Sequence, residues 1–208
     1  MKRIIIGITG ASGVIYGIRL LEVLREKEVE THLILTHAAK TNIALETGFS
    51  VRQVEDIASE VHDIHNLAAA ISSGSFMTYG MVIIPCSIKT LSGVANSYNE
   101  NLLVRAADVI LKERRKLILG VRETPLHRGH LELMIKVVDR GGIIFPPVPA
   151  FYHSPSGIDD IINHTIGKIL DLFDIDHALY KRWEGQEIKT APEKNESLRR
   201  LPRRSKKD

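Results

Sequence analysis

Residues 4–17, IIIGITGASGVIYG, hold the most legible chemistry of this chain. An apolar, β-branched run enters a turn holding Gly7, Gly10 and Gly13, then opens into a helix carrying Leu20, Leu21 and Leu24. Bare backbone N–H groups and the positive end of a helix dipole meet at such a point, which suits a phosphate. Tight helix–strand packing is the competing reason for these glycines. The spacing G-x-x-G-x-x-G lacks the second glycine of the dinucleotide fingerprint G-x-G-x-x-G. The next strand, HLILT, ends on Thr36, where a nicotinamide site places an acidic residue for the ribose. No Gly-Lys-Ser/Thr follows the turn, so a P-loop is absent. A mononucleotide such as FMN fits best.

Two further strand ends carry polar groups. PCSIKT (85–90) sets Cys86, Ser87, Lys89 and Thr90 where amides and hydroxyls can hold a second part of a ligand. VRETP (121–125) places Arg122 beside Glu123. Arginine grips phosphate or a flavin carbonyl, and a carboxylate orients it or moves a proton; a structural Arg–Glu pair capping the sheet is the alternative. Cys86 lacks a readable histidine–acid partnership and reads as a small buried residue. The pairs His62/His65 and His127/His130 look like metal ligands but lack a third, so helix-surface or capping roles are expected, and no structural metal. Lys168, beside an apolar stripe, either snorkels to water or meets an anion at a subunit edge. Trp183 reads equally as an interface anchor.

The elements that must position these groups follow from periodicity. Apolar runs at Arg3–Thr9, Thr31–Thr36, Met81–Pro85, Lys116–Val121 and Gly142–Phe145 read as strands. Helix-period segments at Gly13–Arg25, Ala38–Glu46, Ser50–Ser59, Asn99–Arg114 and Leu126–Asp139 lie between them. A further helix follows Ser156, with Asp159 placed for a capping-box contact. The strands are near-continuously apolar, as when helices cover both faces. The expected architecture is a three-layer, doubly wound α/β domain over residues 1–185, with a parallel sheet and ligands at the strands' carboxyl ends. Leu67–Ser75 (LAAAISSGS) is made of mostly small residues, is expected to be flexible and reads as a mobile loop, and FPPVPAFYHSPSG (145–157) as stiff and irregular.

Composition sets the outer bounds. The 208 residues suffice for one domain with a sizeable core. No apolar run approaches the ~20 residues of a membrane span. MKRIIIGITG begins a strand at once and lacks a secretory cleavage site. The lone cysteine excludes a disulfide framework, and the cytoplasm is expected. Residues 193–208 hold seven Lys/Arg against Glu193, Glu196 and Asp208, a net of +4 in a chain of +3, leaving residues 1–192 at −1. The basic surplus therefore belongs to a polar tail (186–208) expected to be disordered, and a global nucleic-acid footprint is missing.

TGASG at 9–13, PCSIKTLS at 85–92, NLLVRAADVILKERRKL at 101–117, RETPL at 122–126 and PAFYHSP at 149–155 together resemble the UbiX-type flavin prenyltransferases, in order from about Ile4 to Trp183. The nearest likeness is to those members described as a component of non-oxidative hydroxyarylic (phenolic) acid decarboxylases. The resemblance implies a flavodoxin-like, Rossmann-like fold and a metal-independent transferase. Such an enzyme joins the dimethylallyl group of dimethylallyl monophosphate to N5 and C6 of reduced FMN. It makes prenylated FMN for a UbiD-type decarboxylase, and usually assembles as a dodecamer with sites at subunit junctions. By resemblance, Gly10, Ala11, Ser12, Thr36, Ser87, Ile88, Lys89, Thr90 and Arg122 fall on FMN-contacting positions. Glu46, Arg105, Lys112, Glu123, Tyr152 and Trp183 fall on positions lining the prenyl-phosphate site, and Lys168 falls where many members have arginine. Ser12, Glu46, Glu123 and Lys112 are the implied catalytic set. Rival readings are an FMN-dependent cysteine-type decarboxylase, whose P-x-M-N-x-x-M-W segment is missing here, and a non-catalytic FMN-carrying subunit.

Overall fold

The computed structural model describes residues 2–183 and 185; the basic stretch 186–208 lies outside the described residues. Six strands form one parallel sheet: β1 (Arg3–Ile8), β2 (Glu30–Leu35), β3 (Glu60–His62), β4 (Gly80–Cys86), β5 (Lys116–Val121) and β6 (Ile143–Ile144). Their spatial order is β3-β2-β1-β4-β5-β6, which bears out the doubly wound class. The order reverses between β1 and β4, and at such a switch point the crossovers leave in opposite directions and open a crevice.

Side chains of β1 alternate between two cores. Ile4, Ile6 and Ile8 pack on one face with α1 (Val14–Glu26), α2 (His37–Glu46), α3 (Val51–Glu55) and α7 (Ile158–Leu172). Ile5 packs on the other with α4 (Ile88–Ala95), α5 (Leu102–Lys112) and Val137 of α6 (Arg128–Asp139). Period two within each strand thus feeds both helical layers. No helix among the described residues is long and apolar enough to cross a membrane.

Local chemistry fixes the helix starts. Ser50 and Gln53 form a reciprocal capping box on α3, and Asn101 caps α5 through the Val104 amide. Several expectations shift. The helix expected over Ser50–Ser59 stops at Glu55, and the residues beyond it turn into β3, too short to show a period. Residues 88–95 are helical because Ser87 caps them. Ahead of α7 it is Asp160, not Asp159, that accepts from Ser156, through both the amide and the hydroxyl. The segment read as a mobile loop is tied down: it holds a 3₁₀ turn at Ala70–Ser72 with Ile71 buried. Arg105 Nε donates to Ser72 O at 3.2 Å, and Arg115 to Gly74 O at 2.7 Å.

Candidate active site

The crevice starts where β1 and β4 end. Thr9, fully buried, donates its hydroxyl to Pro85 O at 2.7 Å and accepts the Ser87 amide at 2.8 Å. Its own amide also reaches Pro85 O at 3.2 Å. One threonine therefore locks the two central strand ends together. Sequence reasoning missed it; the available signal was a hydroxyl closing an otherwise apolar run.

The glycine turn follows. Gly13 sits at φ 99°, the left-handed region glycine tolerates, and swings the chain from strand to α1. A Cβ on Gly10 would stand 2.4 Å from the Cβ of Ala38, so the turn presses directly on α2. Two side chains of α2, one helical turn apart, hold the loop from the side: Asn42 Nδ2 donates to Ala11 O at 3.2 Å, and the Glu46 carboxylate accepts the Gly13 amide at 2.7 Å. Glu46 also lies 3.4 Å from the Val14 amide. This corrects the simplest reading of the turn, because a carboxylate of the chain itself already occupies the first amides of α1. The free donors sit one step earlier: among the described residues the amides of Gly10, Ala11 and Ser12 have no partner within the chain.

Two more helix starts face the same lip. Thr36 caps α2, its hydroxyl oxygen accepting the Ala39 amide at 3.1 Å. Ser87 caps α4, accepting the Thr90 amide at 3.4 Å and donating to the Thr90 hydroxyl at 3.2 Å. The first amides of each helix lie outside the intrahelical ladder and are available to an anion. Ile88 and Lys89 open α4, but the Lys89 side chain points away, 3.8 Å from Glu100 and 82 % exposed, so only its backbone belongs to the crevice.

β5 delivers Arg122, whose amide donates to Cys86 O at 3.1 Å. Its guanidinium is exposed and makes no ion pair among the described residues. Glu123 accepts the Thr124 amide at 3.0 Å instead of pairing with Arg122, so the sheet-capping Arg–Glu pair is not formed. Cys86 is wholly buried, which bears out its reading as a small buried residue, and burial pushes its thiol up. His127 caps α6 through the Gly129 amide, as expected of a capping histidine. His62 belongs to β3 and meets His32, not His65.

The remaining predicted residues form two separate groups. Arg105 and Lys112 lie seven residues apart on α5, which ends four residues before the start of β5, so Lys112 sits toward the edge of the sheet opposite the crevice. Arg105 also pairs with Asp108 at 3.2 Å, and Lys112 with Glu113.

Tyr152, Lys168 and Trp183 gather along α7. The Tyr152 hydroxyl shares a hydrogen bond of 2.6 Å with His164 Nε2, and its ring meets Trp183 edge-on at 5.9 Å. Burial lowers the His164 pKa, as do neighbouring His153 and Lys168. Lys168 stands half-exposed, 3.9 Å from Asp171. A cavity of about 260 Å³ opens here, lined by Tyr152, His153, Ser154, Arg182 and Trp183. Asp171 organises the chain that brings Trp183 in: it accepts from Arg182 at 2.6 Å, from the Tyr180 hydroxyl at 2.6 Å and from His177 at 3.1 Å. Among the described residues no hydrogen bond or ion pair joins either group to the crevice.

A lip of unpaired amides, flanking hydroxyls and one free guanidinium suits a planar ligand ending in a phosphate. The relatives of this chain agree with that chemistry. Residues 1–149 match the flavoprotein family model. The flavin prenyltransferase UbiX of Salmonella typhimurium is 60% identical over 188 residues, covering 89% of this chain and 100% of that protein. The crystal structure of AnUbiX in complex with FMN and dimethylallyl pyrophosphate superposes with a TM-score of 0.88 at 46% identity, covering 89% of this chain and 99% of that one. A dodecameric FMN-dependent UbiX-like decarboxylase from Escherichia coli O157:H7 has a TM-score of 0.86 at 48% identity, covering 88% and 100%. The architecture, the crevice and these relatives lead to one conclusion: the chain belongs to the UbiX flavin prenyltransferases.

Proposed function

We propose that this chain transfers the dimethylallyl group of dimethylallyl monophosphate to N5 and C6 of reduced FMN, in an oligomer whose copies complete each other's sites. The prenylated flavin then serves a UbiD-type decarboxylase, and the work is cytoplasmic. The observation that carries the reading is the convergence of three helix starts on one lip, with the amides of Gly10, Ala11 and Ser12 free. Those amides would hold the FMN phosphate. Thr36, the Ser87–Thr90 turn and Arg122 would hold the ring system and its carbonyls.

The donor needs different groups. An allylic phosphate departs more readily when cations and hydroxyls stabilise the charge left on its oxygens. Arg105, Lys112, Tyr152 and Lys168 have that chemistry, and Trp183 offers an aromatic face to developing positive charge. No hydrogen bond or ion pair among the described residues ties them to their own lip, which supports a reading in which they act on the crevice of a neighbouring copy. Such a composite site accords with the dodecameric state of the Escherichia coli relative. Ser12 and Glu46 would orient the acceptor atoms, and Glu123, whose carboxylate is held only by the Thr124 amide, would take the proton lost at C6. Lysine at 168 keeps the charge but gives up the two-pronged grip of arginine.

The test is direct. Purified protein, reduced FMN and dimethylallyl monophosphate should yield a flavin heavier by one C5H8 unit, with inorganic phosphate released. Running the diphosphate in parallel identifies the donor. Transfer of the product to an apo UbiD-type enzyme should restore decarboxylation. Unmodified flavin with either donor overturns the transferase reading and leaves a flavin carrier.

A further inference from the structure

The edge of the sheet farthest from β6 carries a polar cluster that the flavin chemistry does not use. β3 pairs only with β2, in a register that sets His32 against Glu60 and Ile34 against His62. Period two places Glu60 and His62 on one face of β3, and Glu30 and His32 on the corresponding face of β2. A fully buried histidine in the middle of an apolar strand needs partners. It has them on both nitrogens.

His32 Nδ1 lies 2.9 Å from His62 Nε2 and 3.4 Å from a Glu60 oxygen. His62 Nε2 lies 3.6 Å from the other Glu60 oxygen. These separations bracket the ~3.3 Å between ligand atoms on a tetrahedral ion with bonds of ~2.0–2.1 Å. The opposite nitrogen of His32, Nε2, is 3.0 Å from Glu30, and Arg3 Nε fixes Glu30 at 2.8 Å. A carboxylate on the far nitrogen is what orients a metal-binding imidazole and sets its tautomer. Phe76 packs edge-on against His32 at 5.1 Å and closes the inner side. Glu60 is 58 % exposed, so a fourth position opens to water. A plain imidazole–imidazole hydrogen bond accounts for the 2.9 Å contact, but not for a carboxylate facing the same two nitrogens.

We propose that His32 Nδ1, His62 Nε2 and the Glu60 carboxylate bind one divalent ion of the zinc type, with water completing the tetrahedron. The ion staples the three-residue β3 to β2. The stretch just after β3 receives the start of α5, where the Leu102 amide donates to Ile64 O at 2.8 Å. The ion therefore anchors the segment that α5 packs on and takes no part in prenyl transfer.

Full-length protein stripped with a chelator should take up one Zn²⁺ or Co²⁺ per chain at micromolar concentration, read against a competing chromophoric chelator. Co²⁺ should show the intense visible bands of a four-coordinate site. Glu60→Gln should weaken binding about tenfold or more, and Glu30→Gln, which touches no ion, by about ten- to hundredfold. His65→Asn and His127→Asn should change nothing. Because Glu60 is exposed, its variant keeps the fold and the test stays decisive even where His32→Asn does not express. Absent stoichiometric binding, or binding indifferent to Glu60→Gln, overturns the proposal.

Discussion

The Glu46 carboxylate accepts the Gly13 amide at 2.7 Å, so the last residue of α2 caps the first turn of α1 across the glycine loop. Gly13 has no side chain to do this, and no capping hydrogen bond of its own. Replacing Glu46 with alanine should cost about 1 kcal/mol of unfolding free energy, as loss of a cap does. Glu46→Gln keeps an acceptor oxygen and should recover most of that stability in urea titrations. If both variants lose prenyl transfer while only the alanine loses stability, the charge itself serves the chemistry.

Thr9 ties β1 to β4 from a fully buried position. Thr9→Val keeps the shape, deletes the hydroxyl and leaves the Ser87 amide without its acceptor. A loss of about 1–3 kcal/mol is expected from the unsatisfied donor. Flavin affinity, measured by fluorescence quenching, should fall with it, because Ser87 carries the start of α4. Unchanged affinity would show that the α4 turn is positioned by something else.

Asp171 supplies a pH signature. Partial burial works to raise its pKa, but hydrogen bonds from Arg182, Tyr180 and His177 outweigh burial and bring the carboxyl down to about 2. A depressed folded value stabilises the fold fully above the ordinary 3.8 and loses that contribution as pH falls toward 2. Asp171→Asn should therefore be less stable than the parent at neutral pH, with the gap closing between about pH 4 and pH 2. Thermal melts across that range check it. A gap independent of pH would mean that packing, not charge, ties the 177–182 segment to α7.

A composite site has a genetic signature. Arg122→Ala removes a lip group and Lys168→Ala removes a group on α7, so each homogeneous oligomer should be nearly inactive. Co-expressed together, the two chains should form some junctions with both intact side chains and regain a measurable fraction of turnover. Homogeneous and mixed preparations with equal activity would place both groups in the site of one chain.

Glu123 is exposed and holds only its neighbour's amide, which leaves its carboxylate available. Glu123→Gln should slow product formation in a single turnover by about 10²–10⁴-fold if it is the base, the usual scale for a positioned general base. Unchanged single-turnover formation removes it from the mechanism and leaves the departing phosphate to take the proton.

The backbone parts of the site are legible in the sequence because glycine spacing and capping residues act locally. Gly10–Gly13, Thr36 and Ser87 declare themselves within a few residues of what they do. Contacts closed by packing are not legible: Asn42 and Glu46 reach a loop more than thirty residues earlier, and only the docking of α2 brings them there. β3 cannot be read because three residues show no period. His32 gives no local sign of its role, since its partner histidine lies thirty positions on, and the H-x-x-H spacing points instead to His65. The α5 and α7 groups are legible as types through resemblance, while their local partners, such as Asp108 for Arg105 and His164 for Tyr152, require the folded chain.

Gly10 touching Ala38 has one further implication. With a would-be Cβ only 2.4 Å from its neighbour, loop and helix cannot drift independently, and a side chain entering at 10 requires Ala38 to shrink. Ala38→Gly alone should be mild, whereas Gly10→Ala alone should unseat α2 and carry the Thr36 hydroxyl off with it. The coupling is therefore one-sided: a side chain at 10 is expected only where 38 has already become glycine, while 38 is free to change first.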